Sequence, residues 1–196
     1  MRIGMLGGTF NPPHSGHLAL ARECRGHFGL DKVVFIPAFT PPHKDVKTGV
    51  SPRDRLEMVR LAVAGKEGFE VSTHEMDKKG ISYSIESIEY FKKEYGSDTE
   101  LFFLTGSDSV SALSTWKEID RILELTTFVV AARPGWNMVG PYEGKWKRID
   151  IPEVDISSSM IRERVKEAGS IDDLVPDAVA EYIRDKGLYH SPRSTD

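Results

Sequence analysis

The stretch RIGMLGGTFNPPHSGHLALARECRGHFG, residues 2–29, passes from a strand pattern to a helical one through a single loop. RIGMLGG (2–8) is a short apolar run closed by a glycine pair, which predicts a buried strand. GHLALARECRGHFG (16–29) spaces its apolar residues at helical intervals and stops at Gly29. It predicts a helix beginning near Gly16, with Ser15 as its cap. Between them, GGTFNPPHSGH (7–17) holds a glycine pair, a proline pair and two histidines in eleven residues. In an open α/β sheet a loop at this place lies beyond the carboxyl end of a strand, where such sheets take ligands.

The same alternation continues along the chain. KVVFIPA (32–38), FEVSTHEM (69–76), ELFFLTG (100–106), TFVVAARPG (127–135) and RIDIPEV (148–154) read as strands, the last an edge strand that tolerates Pro152. Helical patterns lie between and after them, at 51–65, 82–96, 114–125, 158–169 and 176–187. Ser51 and Pro52 give the helix at 51–65 a cap and a first-turn proline. The loop FTPPHKDVKTG (39–49) is dense in proline and charge. Strands alternating with helices predict an α/β fold with a doubly wound, mostly parallel sheet covered on both faces. Residues 1–189 read as one domain and 190–196 as a tail.

With 196 residues the chain is long enough for one sizeable core. Its formal net charge of −4 argues against general nucleic-acid binding, which calls for a basic surface. A small phosphorylated ligand needs only a local positive pocket. No apolar run reaches the length of a membrane span. MRIGML runs straight into glycine and proline, without the zones of a secretory leader, and Cys24 is the only cysteine. Both features predict a cytoplasmic setting. The sequence leaves self-association open.

The chemistry of residues 7–17 suits a polyphosphate. Gly7 and Gly8 let backbone approach a ligand closely. Pro12 and Pro13 stiffen the turn that follows. Free N–H groups at a helix start attract anions, and the His14 and His17 imidazoles can donate to phosphate oxygens. A zinc site is the other reading of two histidines. It would need further ligands, and Cys24 and His27 lie farther along the helix without a second cysteine or metal-type spacing.

GGTFNPPHSGH resembles the first signature of the nucleotidylyltransferase superfamily, with HSGH (14–17) matching its HxGH element. ISSSMIR (156–162) resembles the second, ISSTxIR. FIPAFTPPHK (35–44), SYSIESIEYF (82–91), FFLTGSDSVSALSTWKEIDRIL (102–123) and FVVAARPG (128–135) are similar, in order, to the bacterial nicotinate mononucleotide adenylyltransferases. The likeness runs to about His190. It departs at Asn11, where many relatives carry aspartate, and at Ser84, where threonine is usual; each keeps the group type.

The resemblance implies a Rossmann-like fold and an enzyme of NAD biosynthesis. Its substrates would be ATP and nicotinate mononucleotide, with Mg²⁺ accompanying ATP and no resident metal. The products would be deamido-NAD and pyrophosphate. The attacking phosphate is already anionic, so alignment and charge neutralisation suffice and no protein nucleophile is required. The resemblance nominates His14, His17, Lys44 and Arg162 for catalysis. For ATP it adds Gly7, Gly8, Thr9, Phe10, Gly106, Asp108, Ile156, Ser157, Ser158 and Ser159. For the mononucleotide it implies Thr9, Lys44, Ser84, Trp116 and Arg133. Several have a second reading: Asp108 binds ribose or caps a helix, the serines meet phosphate or cap, Trp116 stacks on pyridine or packs the core, and Arg133 contacts substrate or anchors its turn. Rival readings change the acceptor, to phosphopantetheine or glycerol phosphate, or keep nucleotide binding without catalysis.

Overall fold

The computed structural model describes residues 1–42, 49–132, 140–151 and 155–190. Among the described residues six strands form one parallel sheet: β1 (Arg2–Gly8), β2 (Lys32–Pro37), β3 (Phe69–Val71), β4 (Glu100–Gly106), β5 (Thr127–Ala132) and β6 (Lys147–Asp150). Their order is β3-β2-β1-β4-β5-β6. The chain winds outward one way from β1, then returns past it to β4 and winds the other way. The ends of β1 and β4 therefore flank the crevice at which such a sheet binds ligands.

Strand alternation sorts the core onto two faces. Ile3 and Met5 of β1 join α4 (Ser84–Tyr95) and α5 (Ile119–Leu125), through Ile85, Ile88, Phe91 and Ile122. Leu6 joins α1 (Ser15–Phe28) and α2 (Pro52–Val63) on the other face, through Leu20, Cys24, Val59 and Val63. Gly4 shares that second face where space is shortest: a Cβ there would meet the Leu30 methyl at 2.9 Å. A third cluster fastens α6 (Ser158–Lys166) and α7 (Asp177–Asp185) to α2, through Met58, Ala62, Ile161, Val165, Val179 and Ile183. That cluster holds the C-terminal motif against the N-terminal loop.

Three local expectations are corrected. FEVSTHEM is not all strand: β3 ends at Val71 and α3 (His74–Lys78) follows. The Ser72 N–H takes the last ladder position on Phe35 O, and its hydroxyl then accepts from the His74 N–H, turning the chain. The pattern at 114–125 is not one helix. A 3₁₀ segment, Ser107–Thr115, ends before Trp116, and α5 starts at Ile119 after Glu118 in left-handed conformation. Trp116, wedged edge-on against Phe103 and Phe128, pins the corner between them. Finally, α1 is capped by His14, and Ser15 is its first residue. Ser51, by contrast, caps α2 as expected, accepting from the Asp54 N–H at 3.1 Å.

Candidate active site

The loop from Gly7 to His17 is held from below. Gly8 leaves room for the Phe10 ring, since a Cβ there would meet that ring at 3.0 Å. Phe10 adopts φ 48° and is 2% exposed, so its side chain is a platform and only its backbone is left to face a ligand. His17 stands edge-on to that platform at 5.0 Å and its ring centre lies 3.8 Å from that of His14. The His14 backbone N–H donates to His17 Nδ1 at 3.2 Å. This bond fixes the tautomer: in the neutral ring the proton sits on Nε2, which is the donor. His14 is buried, and loss of water lowers its pKa to about 4. The imidazole is thus neutral at pH 7 and remains able to donate a hydrogen bond. Ser15 is turned inward too, its N–H donating to Leu174 O at 2.9 Å.

The start of α6 meets this loop directly. Arg162 donates from Nη1 to Asn11 O at 2.8 Å and from Nη2 to Ser159 Oγ at 3.0 Å. Ser158 donates to Pro12 O at 2.8 Å, and Ser157 caps the helix, accepting from the Met160 N–H. The three hydroxyls are each engaged within the protein. One caps, one ties the two motifs together and one steadies the guanidinium. Ile156 packs on the third core cluster just before them.

Beside this polar shelf a cavity of about 260 Å³ opens between the ends of β1 and β4. It gathers Gly7, Gly8, Thr9, Ser84, Asp108 and Trp116 from the sequence-based set. Ser84 is the first residue of α4, and Asp108 stands exposed in the first turn of the 3₁₀ segment, whose cap is Gly106. Trp116 packs on the core and also lines the cavity. Lys44 and Arg133 lie outside the described residues.

Four further residues shape the site without belonging to either motif. Arg55 is 1% exposed and donates to three backbone carbonyls, Thr9 at 2.8 Å, Ala38 at 2.6 Å and Phe39 at 2.8 Å. It locks the first loop to the end of β2. Tyr189 reaches Asn11 from the far end of the chain. Glu75 lines the cavity and accepts from the Ser87 hydroxyl at 2.6 Å; burial pushes its carboxyl above the usual range. Lys117 lines the cavity next to Trp116. A charged residue within an amphipathic helix, such as Arg55, carries no signal of its burial in a single sequence. Lys117 was legible only as the neighbour of Trp116.

Known proteins resemble this chain over most of its length. The cytidylyltransferase-like family matches residues 5–164. The probable nicotinate-nucleotide adenylyltransferase of Halalkalibacterium halodurans is 44% identical, covering 98% of this chain and 93% of its own. The nicotinate-nucleotide adenylyltransferase of Bacillus subtilis is 39% identical, covering 97% and 99%. Among solved structures, the Plasmodium falciparum nicotinic acid mononucleotide adenylyltransferase complexed with NaAD superimposes with a TM-score of 0.77. At 18% identity over 96% of this chain and 97% of that one, it shows the fold. With two signature loops joined by Arg162 and Ser158, and relatives of this identity over nearly full length, the chain belongs to the cytidylyltransferase-like family and, within it, to the nicotinate-nucleotide adenylyltransferases.

Proposed function

We infer that the chain transfers the adenylyl group of ATP to nicotinate mononucleotide, yielding deamido-NAD and pyrophosphate, a step of NAD biosynthesis. The observation that carries this reading is the meeting of a polar shelf (His14, His17, Arg162) with a cavity walled by Ser84 and Trp116 at the switch point of the sheet. An oxygen of the mononucleotide phosphate attacks the α-phosphorus. The new P–O bond forms as the bond to the β-phosphate oxygen breaks, and the electron pair leaves on pyrophosphate. His17 donates from Nε2 to the α-phosphate oxygens, where charge builds. Arg162 holds the leaving phosphates with its planar fork. His14, neutral while empty, is a hydrogen-bond donor whose affinity for a proton rises once a polyanion lies beside it. Gly7, Gly8, Thr9, Phe10, Gly106, Asp108 and Ile156 frame the nucleotide. Ser84, Trp116, Lys44 and Arg133 serve the acceptor.

Magnesium enters this scheme with ATP. Among the described residues no three His, Cys, Asp or Glu side chains gather to hold a metal, and the donors of the shelf are imidazole, guanidinium and hydroxyl. Mg²⁺ prefers hard oxygen ligands and keeps several waters, which suits coordination by the polyphosphate itself.

Residues 1–189 act as one domain in this reading, since Tyr189 closes on the first loop. A reducing, cytoplasmic setting suits the single cysteine, which is buried and whose thiol burial pushes up to about 12. No helix among the described residues is long and apolar enough to cross a membrane.

The test is pyrophosphate release from MgATP with nicotinate and nicotinamide mononucleotides side by side. The Ser84 hydroxyl and the backbone of the wall are donors, which suit a carboxylate. A carboxamide turns its own NH₂ toward one of them at a cost of about 1–3 kcal/mol. Preference for the acid by about tenfold to a hundredfold is expected. No release with either acceptor overturns the reading.

A further inference from the structure

Lys117 is the one cation among the described residues that line the cavity; the other ionisable side chains there are the carboxyls of Glu75 and Asp108 and the phenol of Tyr83. Its ammonium lies 4.4 Å from the centre of the Tyr83 ring, itself a cavity wall, and 2.9 Å from Glu86 Oε1. Glu86 also takes Lys78, through its other oxygen. Lys78 ends α3, Glu86 sits in the first turn of α4, and Lys117 stands at the corner before α5. Two ammonium groups on one carboxylate leave this three-residue group with a net positive charge. The Lys78 contact first, and the Lys117 contact after it, hold the Glu86 carboxyl below its usual range, so this count applies across neutral pH.

We propose that Lys117, lying over the Tyr83 ring, is a specificity-determining residue that favours a pyridine carboxylate over a carboxamide through its charge. The proposal rests on the adenylyl-transfer reading above. The neutral donors of the wall distinguish the two acceptors by hydrogen-bond pattern alone. Without Lys117 the remaining charge-bearing side chains of the described lining would be two carboxyls, which oppose an anionic ring substituent. The ammonium offsets that opposition locally, on the wall it shares with Ser84 and Trp116. Attraction of this kind acts on the bound acceptor and not on the reacting phosphorus, so it belongs in KM rather than in kcat. Because Lys117 is close to solvent, the attraction is modest and is screened by salt.

The experiment measures kcat and KM for both mononucleotides in wild type, Lys117→Met and Glu86→Gln, at low and high ionic strength. Lys117→Met is expected to raise KM for nicotinate mononucleotide about three- to tenfold, while KM for the nicotinamide form stays nearly level. Glu86→Gln removes the negative partner and is expected to widen the preference. The wild-type preference should shrink with salt, and that of Lys117→Met should not. An unchanged ratio in Lys117→Met, or an equal loss on both acceptors, overturns the proposal while leaving adenylyl transfer intact. A narrowed preference in Glu86→Gln overturns it as well, because the triad would then position and not charge the wall. Wild type that releases no pyrophosphate with either acceptor fails the underlying reading, and the proposal with it.

Discussion

The Tyr189 hydroxyl donates to Asn11 Oδ1 at 2.7 Å, joining residues 178 positions apart in the chain. Both are buried, and burial pushes the phenol well above its usual range, so it remains a donor throughout neutral pH. Asn11 in turn presents its backbone carbonyl to Arg162. The C-terminal segment thereby sets the backbone on which the guanidinium rests. Tyr189→Phe takes the donor from a buried acceptor and should lower stability by about 1–3 kcal/mol. Urea unfolding measures this directly. An unchanged midpoint and slope would show that the contact is replaced at no cost.

Arg162 gives a second expectation. Its fork spans Asn11 O and Ser159 Oγ with two nitrogens, so the guanidinium plane is already set before ATP arrives. Lysine offers a point charge and cannot span both partners. Calorimetry should show ATP affinity reduced by about tenfold or more in Arg162→Ala. Arg162→Lys should recover only part of it. Equal affinity in wild type and Arg162→Ala would remove Arg162 from the nucleotide site.

His17 is expected to act on turnover. Its Nδ1 is occupied by the His14 N–H and its ring rests on Phe10, so Nε2 is oriented by the fold. His17→Ala should reduce kcat by about a hundredfold or more with much smaller change in ATP binding, as for a lost oxyanion donor. Single-turnover kinetics beside equilibrium binding separates the two effects. A folded variant with wild-type kcat would exclude the role.

The strand starts and the crevice were legible because both follow local rules. RIGMLGG is β1 residue for residue, and the glycine pair marks its end. The alternation of elements predicted a doubly wound sheet, and the strand order places the crevice between β1 and β4. The two motifs were legible as motifs, but their meeting was not: the bond from Ser158 to Pro12 O spans 146 positions and depends on tertiary packing of α6 on α2. The serines show the same limit. Three adjacent hydroxyls look alike in a sequence, yet one caps, one ties and one steadies Arg162. The cap of α1 departs from expectation because His14, one position before Ser15, takes the extended cap conformation, and the His17 ring accepts from its N–H as the third residue of a capping box does. Arg55 shows it from the inside: a helix period marks which face is buried, but not that an arginine there will serve three loop carbonyls.

The pH dependence of stability should carry the signature of His14. Its native pKa is lowered from 6.5 to about 4 by burial, and in the unfolded chain the ring regains its ordinary value. Above pH 6.5 the imidazole is neutral in both states and contributes no slope. As pH falls from about 6.5 toward 4, the unfolded chain takes up a proton that the folded one refuses, and stability drops. Below about 4 both states are protonated and the loss levels off. The full loss is about 3 kcal/mol, since each tenfold change in proton affinity is worth about 1.4 kcal/mol. His14→Asn removes the titration while keeping a polar side chain. Subtracting its stability curve from that of wild type cancels the carboxylates common to both. The difference should fall across this window and be flat above it. Saturating MgATP should shrink the fall, because a polyanion beside the ring favours its protonated form and raises the native pKa. Parallel curves for wild type and His14→Asn from pH 7 to 4 would show that the native imidazole titrates as it does in the unfolded chain.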